Sequence, residues 1–179
     1  MPTASRPPVL ADRLVVFPSN LGWMALVAVG ETVRRLTFGH LSAAAAAEAL
    51  GSEGPVSDKR PRGLRSVVER LQAFAAGKPD SLSDIPVETG PVGEFARRVL
   101  DQCRRIPYGR TMTYAALAAQ AGFPRAARAV GNCMAANRTP LLTPCHRVVC
   151  SGGALGRFSA PGGIAMKRRL LQLEAAELG

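Results

Sequence analysis

Between Leu14 and Phe38 three short apolar runs are separated by turn-forming residues, and this constrains the first part of the fold more than any other feature. The runs are Leu14 to Phe17, Trp23 to Val29 and Val33 to Phe38. Pro18-Ser19-Asn20 closes the first and Gly30-Glu31 closes the second. A connection this short can only fold the chain back on itself, so the runs read as an antiparallel meander. The period then changes. Ala43 to Leu50 is an alanine-rich stretch suited to helix. Leu64, Val67, Val68, Leu71 and Phe74 recur at three-to-four spacing, which predicts an amphipathic helix over residues 64–76. Gly77-Lys78-Pro79 stops it. Residues 1–12 read as a loose tail, 51–63 as a polar loop, and 77–91 as a linker.

The second half is patterned differently. A helix is expected from about Val92 to Arg105, with Phe95, Val99, Cys103 and Ile106 on one face. Thr113 suits the N-cap of a helix over Tyr114 to Gln120. Ala121-Gly122-Phe123 turns the chain. Pro124 fits the first turn of a further helix running to about Asn137. Helix, short glycine-containing turn, helix is a helix-turn-helix pattern. Val148 to Cys150 and Ala154 to Phe158 flank Ser151-Gly152-Gly153 as a hairpin would. A last helix is expected from about Gly163 to Ala176. The reading is therefore one α+β chain in two parts, residues 1–90 and 91–179.

Charge divides the same way. The net charge is +10, and residues 91–179 carry 13 basic against 4 acidic side chains, so nine of those ten charges lie there. A basic half favours a polyanion partner, nucleic acid being the commonest; a soluble protein of high pI fits the composition equally well. The four cysteines, Cys103, Cys133, Cys145 and Cys150, form no Cys-x-x-Cys pair, which fits free thiols in a reducing compartment. No cysteine and only His40 occur in the first ninety residues, so no nitrogen–sulfur zinc site can be assembled there. There is no 18-residue apolar run and no apolar signal core at the N-terminus. The expectation is a cytoplasmic protein without a membrane partner.

The chemistry is concentrated in Thr143-Pro144-Cys145-His146-Arg147-Val148-Val149. Pro144 biases Thr143 toward extended backbone, so no helix runs into Cys145. Val148 and Val149 read as a short strand. A thiol on a defined bend beside an imidazole is how a nucleophile is built, because a neighbouring base raises the thiolate fraction. A buried structural cysteine next to a surface histidine is the other reading of the pair.

Pro144-Cys145-His146-Arg147-Val148-Val149 resembles the active-site signature of the O6-alkylguanine-DNA alkyltransferases, the methylated-DNA–protein-cysteine methyltransferase family. Ile106-Pro107-Tyr108-Gly109, Thr113-Tyr114, Ala127-Arg128-Ala129-Val130-Gly131 and Asn137 fall where that family has them, as do Gly162-Gly163, Lys167, Leu170-Leu171 and Glu174. The likeness is close over residues 92–176 and holds only in outline before that. It implies a small ribonuclease H-like antiparallel sheet with helices, followed by a helical domain with a winged-helix-like helix-turn-helix and the active-site loop. It implies a monomer that needs no cofactor, and the structural zinc site that some family members have in the first half lacks its nitrogen and sulfur ligands here. Its substrate would be double-stranded DNA containing O6-alkylguanine, with O4-alkylthymine a further lesion, in the cytoplasm, at the nucleoid or, in a eukaryote, in the nucleus.

The same resemblance implies the roles. Cys145 takes the alkyl group irreversibly, His146 accepts the thiol proton through a water, Glu174 orients the histidine, and Asn137 ties the recognition helix to the active-site turn. Ala126, Ala127, Ala129 and Gly131 form a slim helix surface for the minor groove. Arg128 fills the stack left by the extruded base, and Tyr114 crowds the adjacent phosphate. Tyr114, Met134, Val148, Phe158, Ser159 and Lys167 form the base pocket. Three positions depart from the pattern. Phe158 stands where tyrosine is common, Leu100 where tryptophan is frequent, and Ser159-Ala160-Pro161 makes the following loop about two residues longer. The alternative within the family is a non-catalytic alkyltransferase-like binder, which lacks the cysteine. A helix-turn-helix regulator and a Cys-His hydrolase are the alternatives outside it.

Overall fold

A computed structural model describes residues 12–51 and 62–175. The expectations for the tail and for most of the loop at 51–63 lie outside these residues. The three apolar runs form an antiparallel meander, β1 (Arg13–Ser19), β2 (Gly22–Val29) and β3 (Thr32–His40), in spatial order β1-β2-β3. β1 continues through Pro18 to Ser19, beyond the expected break. As an edge strand it tolerates the missing proline donor. At the reversal Gly22 adopts φ +93°, and a Cβ there would sit 2.9 Å from the His40 carbonyl oxygen, so only glycine fits.

The two faces of the sheet are covered by different helices. Helix α1 (Ala43–Ala49) is capped by the Ser42 hydroxyl, which accepts from the Ala45 amide at 3.1 Å. It packs on Leu14, Val16, Trp23, Ala25 and Val27. Helix α2 (Arg62–Ala75) lays Leu64, Val67, Val68, Leu71 and Phe74 against Val15, Phe17, Met24, Leu26, Leu36 and Phe38. The free edge of β3 is not left open. The Val33 amide donates to Pro86 O at 2.9 Å, the Glu88 amide to Val33 O at 2.9 Å, and the Leu36 amide to Arg138 O at 2.8 Å. The linker and a loop of the second half thus satisfy an edge that would otherwise recruit another strand.

Helices α3 (Glu94–Arg104), α4 (Tyr114–Gln120) and α5 (Ala127–Ala135) pack on one another around Val99, Cys103, Leu117, Ala118, Val130 and Met134. Thr113 caps α4, its hydroxyl accepting from the Ala116 amide at 3.1 Å. α5 starts at Ala127, three residues later than Pro124 predicts, and ends at Ala135. The turn after α4 occupies Pro124, and the Ala126 amide bonds back to Phe123 O at 2.9 Å. The expected hairpin at 148–158 is also absent. Val148–Val149 (β5) pairs in parallel with Met112–Thr113 (β4), while 154–159 is irregular with a single bond from the Cys150 amide to Ala154 O. Helix α6 (Gly163–Leu173) is the last helix among the described residues and ends three residues before the expected Ala176, because Ala175 turns to φ +48°. Among the described residues no helix is long and apolar enough to cross a membrane.

Leu141, Leu142 and Leu170, from the second half, are fully buried in the core made by the sheet and α2. The two halves therefore share apolar surface. Leu170→Ala is expected to cost about 3 kcal/mol. Urea unfolding followed by Trp23 fluorescence (first half) and far-UV circular dichroism (mainly second-half helices) should give one coincident transition, shifted down in the variant. Separate transitions would contradict the shared core.

Candidate active site

Cys145 opens a single 3₁₀ turn, Cys145–Arg147, held from both sides. The Cys145 amide donates to Thr143 O at 2.8 Å and the Arg147 amide to Pro144 O at 2.9 Å. The Asn137 side chain, two residues past α5, donates to Thr143 O at 2.8 Å, and its Oδ1 accepts from the Thr139 amide at 3.1 Å. Leu141 in the same loop sits at φ +71°, where a branched side chain is strained; its burial in the core holds it there. After the turn, the pairing of β5 with β4 places Thr113 and Tyr114 beside the strand that leaves the thiol.

Behind the thiol lies a buried polar network centred on Glu174, the residue that ends α6. Its carboxylate accepts from His146 Nε2 at 2.8 Å, from Arg147 Nε at 2.9 Å and Nη2 at 2.8 Å, and from the Gly109 amide at 3.0 Å. Arg147 also donates through Nη1 to Ile106 O at 2.8 Å, and Tyr108 Oη donates to Leu173 O at 3.2 Å. His146 and Arg147 are at most 1% exposed. Burial alone would raise the Glu174 pKa, but the bonds from His146 and Arg147 outweigh it and hold the carboxyl at about 2. A carboxylate can only accept, so His146 Nε2 carries the proton and Nδ1 carries the lone pair. Burial lowers the histidine pKa against the pull of Glu174, which keeps the ring neutral. Nδ1 is buried and has no hydrogen-bond partner among the described residues. It is a base with its acceptor site free.

Burial raises the Cys145 pKa, with the Asn137 amide and the Lys167 charge pulling the other way. The resting group is therefore a thiol that needs a base. Lys167 is fully buried, donating to Val148 O at 2.6 Å and lying 3.5 Å from Tyr114 Oη. Burial lowers its pKa. Tyr114 is pushed up to about 12, first by burial and then by the nearby Cys150 and Cys145 thiols. Gly156 touches this tyrosine: a Cβ there would lie 3.0 Å from Tyr114 Oη and 3.2 Å from Cys150 Sγ.

Cys145 opens onto a cavity of about 650 Å³ between α4, α5 and the segment 150–159. Of the residues expected at the site, Tyr114, Ala127, Arg128, Gly131, Met134, Phe158 and Ser159 line it with the thiol. Val148 and Lys167 sit buried behind its wall. Ala126 precedes α5, and Ala129 is exposed on it beside the exposed Arg128. A second cavity of about 490 Å³ reaches Cys145 from the side of β3.

Over residues 94–176 the chain matches the family model described as 6-O-methylguanine DNA methyltransferase, DNA binding domain. It is 39% identical over 127 residues to the methylated-DNA–protein-cysteine methyltransferase of Methanopyrus kandleri, covering 71% of this chain and 92% of that protein. The chain belongs to this family. The human methylated-DNA–protein-cysteine methyltransferase is 44% identical over 108 residues, a stretch that spans 57% of this chain and 51% of the human protein. The crystal structure of the Mycobacterium tuberculosis O6-methylguanine methyltransferase superposes with a TM-score of 0.74 at 30% identity, covering 92% of this chain and 93% of that one. The Mycobacterium tuberculosis OGT crystallised in complex with DNA gives 0.71 at 30% identity, covering 90% and 92%.

In this chain, sequence reasoning missed the part played by Arg147, Tyr108 and Gly109 around Glu174. Both stretches stood out as motifs, yet nothing in their spacing shows that Ile106 to Gly109 meets the end of α6. Cys150 and Arg157, which line the larger cavity, were also missed.

Glu174→Gln leaves the buried Arg147 guanidinium without a counter-charge, an expected loss of about 3–5 kcal/mol by chemical denaturation. Because the folded carboxyl titrates at about 2 rather than 4.5, its stabilisation is complete above the ordinary value and is lost as pH falls toward 2. Stability measured from pH 6 to 2 should fall more steeply in the wild type than in the variant.

Proposed function

We propose that the protein repairs alkylated DNA by transferring the alkyl group of O6-alkylguanine, and of O4-alkylthymine, to its own Cys145. The observation that carries this reading is the thiol at the base of an open cavity, backed by a histidine whose Nδ1 is free to accept a proton. His146 takes the Cys145 proton through a bridging water, and Glu174 balances the imidazolium that results. The thiolate attacks the alkyl carbon, the bond to O6 breaks, and guanine leaves. The thioether is stable, so each molecule acts once. Tyr114, Met134, Val148, Phe158, Ser159 and Lys167 surround the departing base. The Lys167 charge near the cavity favours the electron density that moves onto O6. No cofactor or metal enters the scheme.

The O6 substituent is out of reach inside a duplex, so the base has to be extruded, at a cost of a few kcal/mol. We read α4, the turn 121–126 and α5 as a helix-turn-helix whose slim face, Ala126, Ala127, Ala129 and Gly131, enters the minor groove. Arg128, exposed at the cavity rim, fills the vacated stack, and Tyr114 crowds the neighbouring phosphate. We read the meander with its helices as a reduced ribonuclease H-like unit over residues 1–90, followed by a DNA-binding and transfer domain over 91–179. The protein acts as a monomer in the cytoplasm or on the nucleoid. The non-catalytic reading is disfavoured by the presence of Cys145 in this setting.

Exposure to a duplex containing O6-methylguanine should add one methyl group to the intact protein, located on Cys145 by peptide mass mapping. Cys145→Ser should bind the duplex as well as wild type and take up no methyl group. A methyl group on Cys150 or Cys133 in that variant would refute the assignment. Arg128→Ala should slow transfer from duplex DNA by at least about ten-fold, while transfer from free O6-benzylguanine, which needs no extrusion, stays within about two-fold. Equal losses on both substrates would remove the extrusion role.

A further inference from the structure

Among the residues that line the larger cavity only Arg128 and Arg157 carry a charge, and no carboxylate faces it. Arg128 stands on α5, and Arg157 on the facing segment 150–159. Arg157 is exposed, and its guanidinium has no ion pair or hydrogen bond among the described residues. Other surface arginines are held. Arg34 meets Asp12 and Glu88 at 2.7 Å each, and Arg169 donates to Asn20 O at 2.6 Å. The backbone that carries Arg157 is nevertheless fixed on both sides. Before it, Gly156 at φ +73° is pressed against Tyr114 and Cys150, so closely that a Cβ would lie 3.0 Å from Tyr114 Oη. After it, the Phe158 ring packs 6.4 Å from Phe38. The bond from the Cys150 amide to Ala154 O, 2.8 Å, closes the turn that leads in. A cation is thus held in place, without a partner, on the wall of a cavity that contains no acid. That is an environment for an anion.

An extruded nucleotide brings more than its base. Its flanking phosphates stay at the mouth of the cavity, displaced from the places they hold along a regular strand. In the reading above Arg128 is committed to the vacated stack, and Tyr114 crowds a phosphate without neutralising it. Gly156 lies against Tyr114, so the next residue, Arg157, stands on the Tyr114 side of the cavity. We infer that Arg157 binds the phosphate that Tyr114 crowds and so holds the extruded nucleotide from the wall opposite Arg128. The inference rests on the alkyl-transfer reading above. Three side chains then divide the extrusion. Arg128 replaces the base in the stack, Tyr114 displaces the phosphate, and Arg157 receives it. The contact forms only after the nucleotide has rotated. It therefore favours the extruded state over the stacked one, and it acts on the transfer rate more than on affinity for undamaged duplex.

The test removes the charge from either partner. Duplexes carry O6-methylguanine with ordinary phosphodiesters, or with one neutral methylphosphonate on the 5′ or the 3′ side of the lesion. Single-turnover transfer from the ordinary duplex by the full chain should be about five-fold slower in Arg157→Gln, the size expected of a partly exposed charge-assisted contact. The wild type should lose about as much when the methylphosphonate occupies one of the two sides, and Arg157→Gln should lose nothing further there, because the two changes remove one interaction. Arg157→Lys keeps the charge and should retain at least about half the wild-type rate, whereas a guanidinium stacked on the base would not be replaced by an ammonium. Melting by circular dichroism checks that both variants are folded. Losses that multiply on both sides of the lesion would overturn the inference, since a packing role is blind to the charge on the phosphate. So would an unchanged rate in Arg157→Gln, a wild type indifferent to both methylphosphonates, or a lysine variant as slow as the glutamine one. Failure of the wild type to take methyl from the ordinary duplex would instead overturn the alkyl-transfer reading, and this inference with it.

Discussion

The Glu174 carboxylate is the contact on which the rest of the site depends. One group at the end of α6 receives the imidazole of His146, the guanidinium of Arg147 and the backbone amide of Gly109. It therefore ties the last helix, the active-site turn and the loop after α3 into one unit. An isolated buried charge would be costly, and so would an isolated buried guanidinium. Together they are tolerable because nearly every polar atom finds a partner. Within this network the one buried atom without a partner among the described residues is Nδ1 of His146, the atom to which the proposed transfer gives a task. The network also sets the tautomer of the histidine, since an acceptor-only partner at Nε2 leaves the lone pair on Nδ1.

The first half of the chain supports this arrangement. The Phe74 ring of α2 lies 6.0 Å from the Tyr108 ring and 6.5 Å from His146, both edge-on. Phe38 of β3 approaches Phe158 at 6.4 Å, and Gly39 comes close to Pro161 and Met166. The meander and α2 thus brace the back of the histidine and one wall of the cavities. A sheet of three strands has little surface of its own to bury. It gains stability by accepting Leu141, Leu142 and Leu170, and it gives a rigid backing in return.

Local features were legible in the sequence where the cause was local. The three strands followed from apolar runs with turn residues between them, α2 from three-to-four spacing, and the cap at Thr113 from its side chain. Failures came where a distant partner decides. Val148 and Val149 pair with Met112 and Thr113, not with the residues just after them, so the hairpin expected from glycine spacing does not form. Pro124 is a local exception: it is compatible with a helix start, yet the turn bond from the Ala126 amide to Phe123 O keeps it out of α5. The thiol and its neighbouring histidine were visible as a dipeptide. The convergence of Gly109, Arg147 and Glu174 was not, because a salt bridge between residues 27 positions apart leaves no periodicity. The left-handed backbone at Leu141 is likewise invisible, since leucine gives no sign of such a conformation.

In the proposed single-turnover transfer, the protonation states bear on how the protein avoids being spent on the wrong partner. Burial raises the Cys145 pKa, and His146 is neutral. In the resting site the proton therefore stays on sulfur, and the thiol is a poor nucleophile toward stray electrophiles in solution. Moving that proton to Nδ1 creates a thiolate and an imidazolium inside a low-dielectric site. The imidazolium is stabilised by Glu174 at 2.8 Å; the thiolate gains most from the Lys167 charge and the Asn137 amide. In the proposed complex the ion pair gains further as a base fills the larger cavity and displaces water, because each of these interactions strengthens as the local dielectric falls. Occupancy of the cavity and activation of the sulfur are thus coupled by electrostatics alone. The same coupling sets the cost of a poor fit: a base that leaves water beside Cys145 weakens the stabilisation of the thiolate. Selectivity then resides in the cavity walls, which position the alkyl carbon, and not in an unusually acidic cysteine.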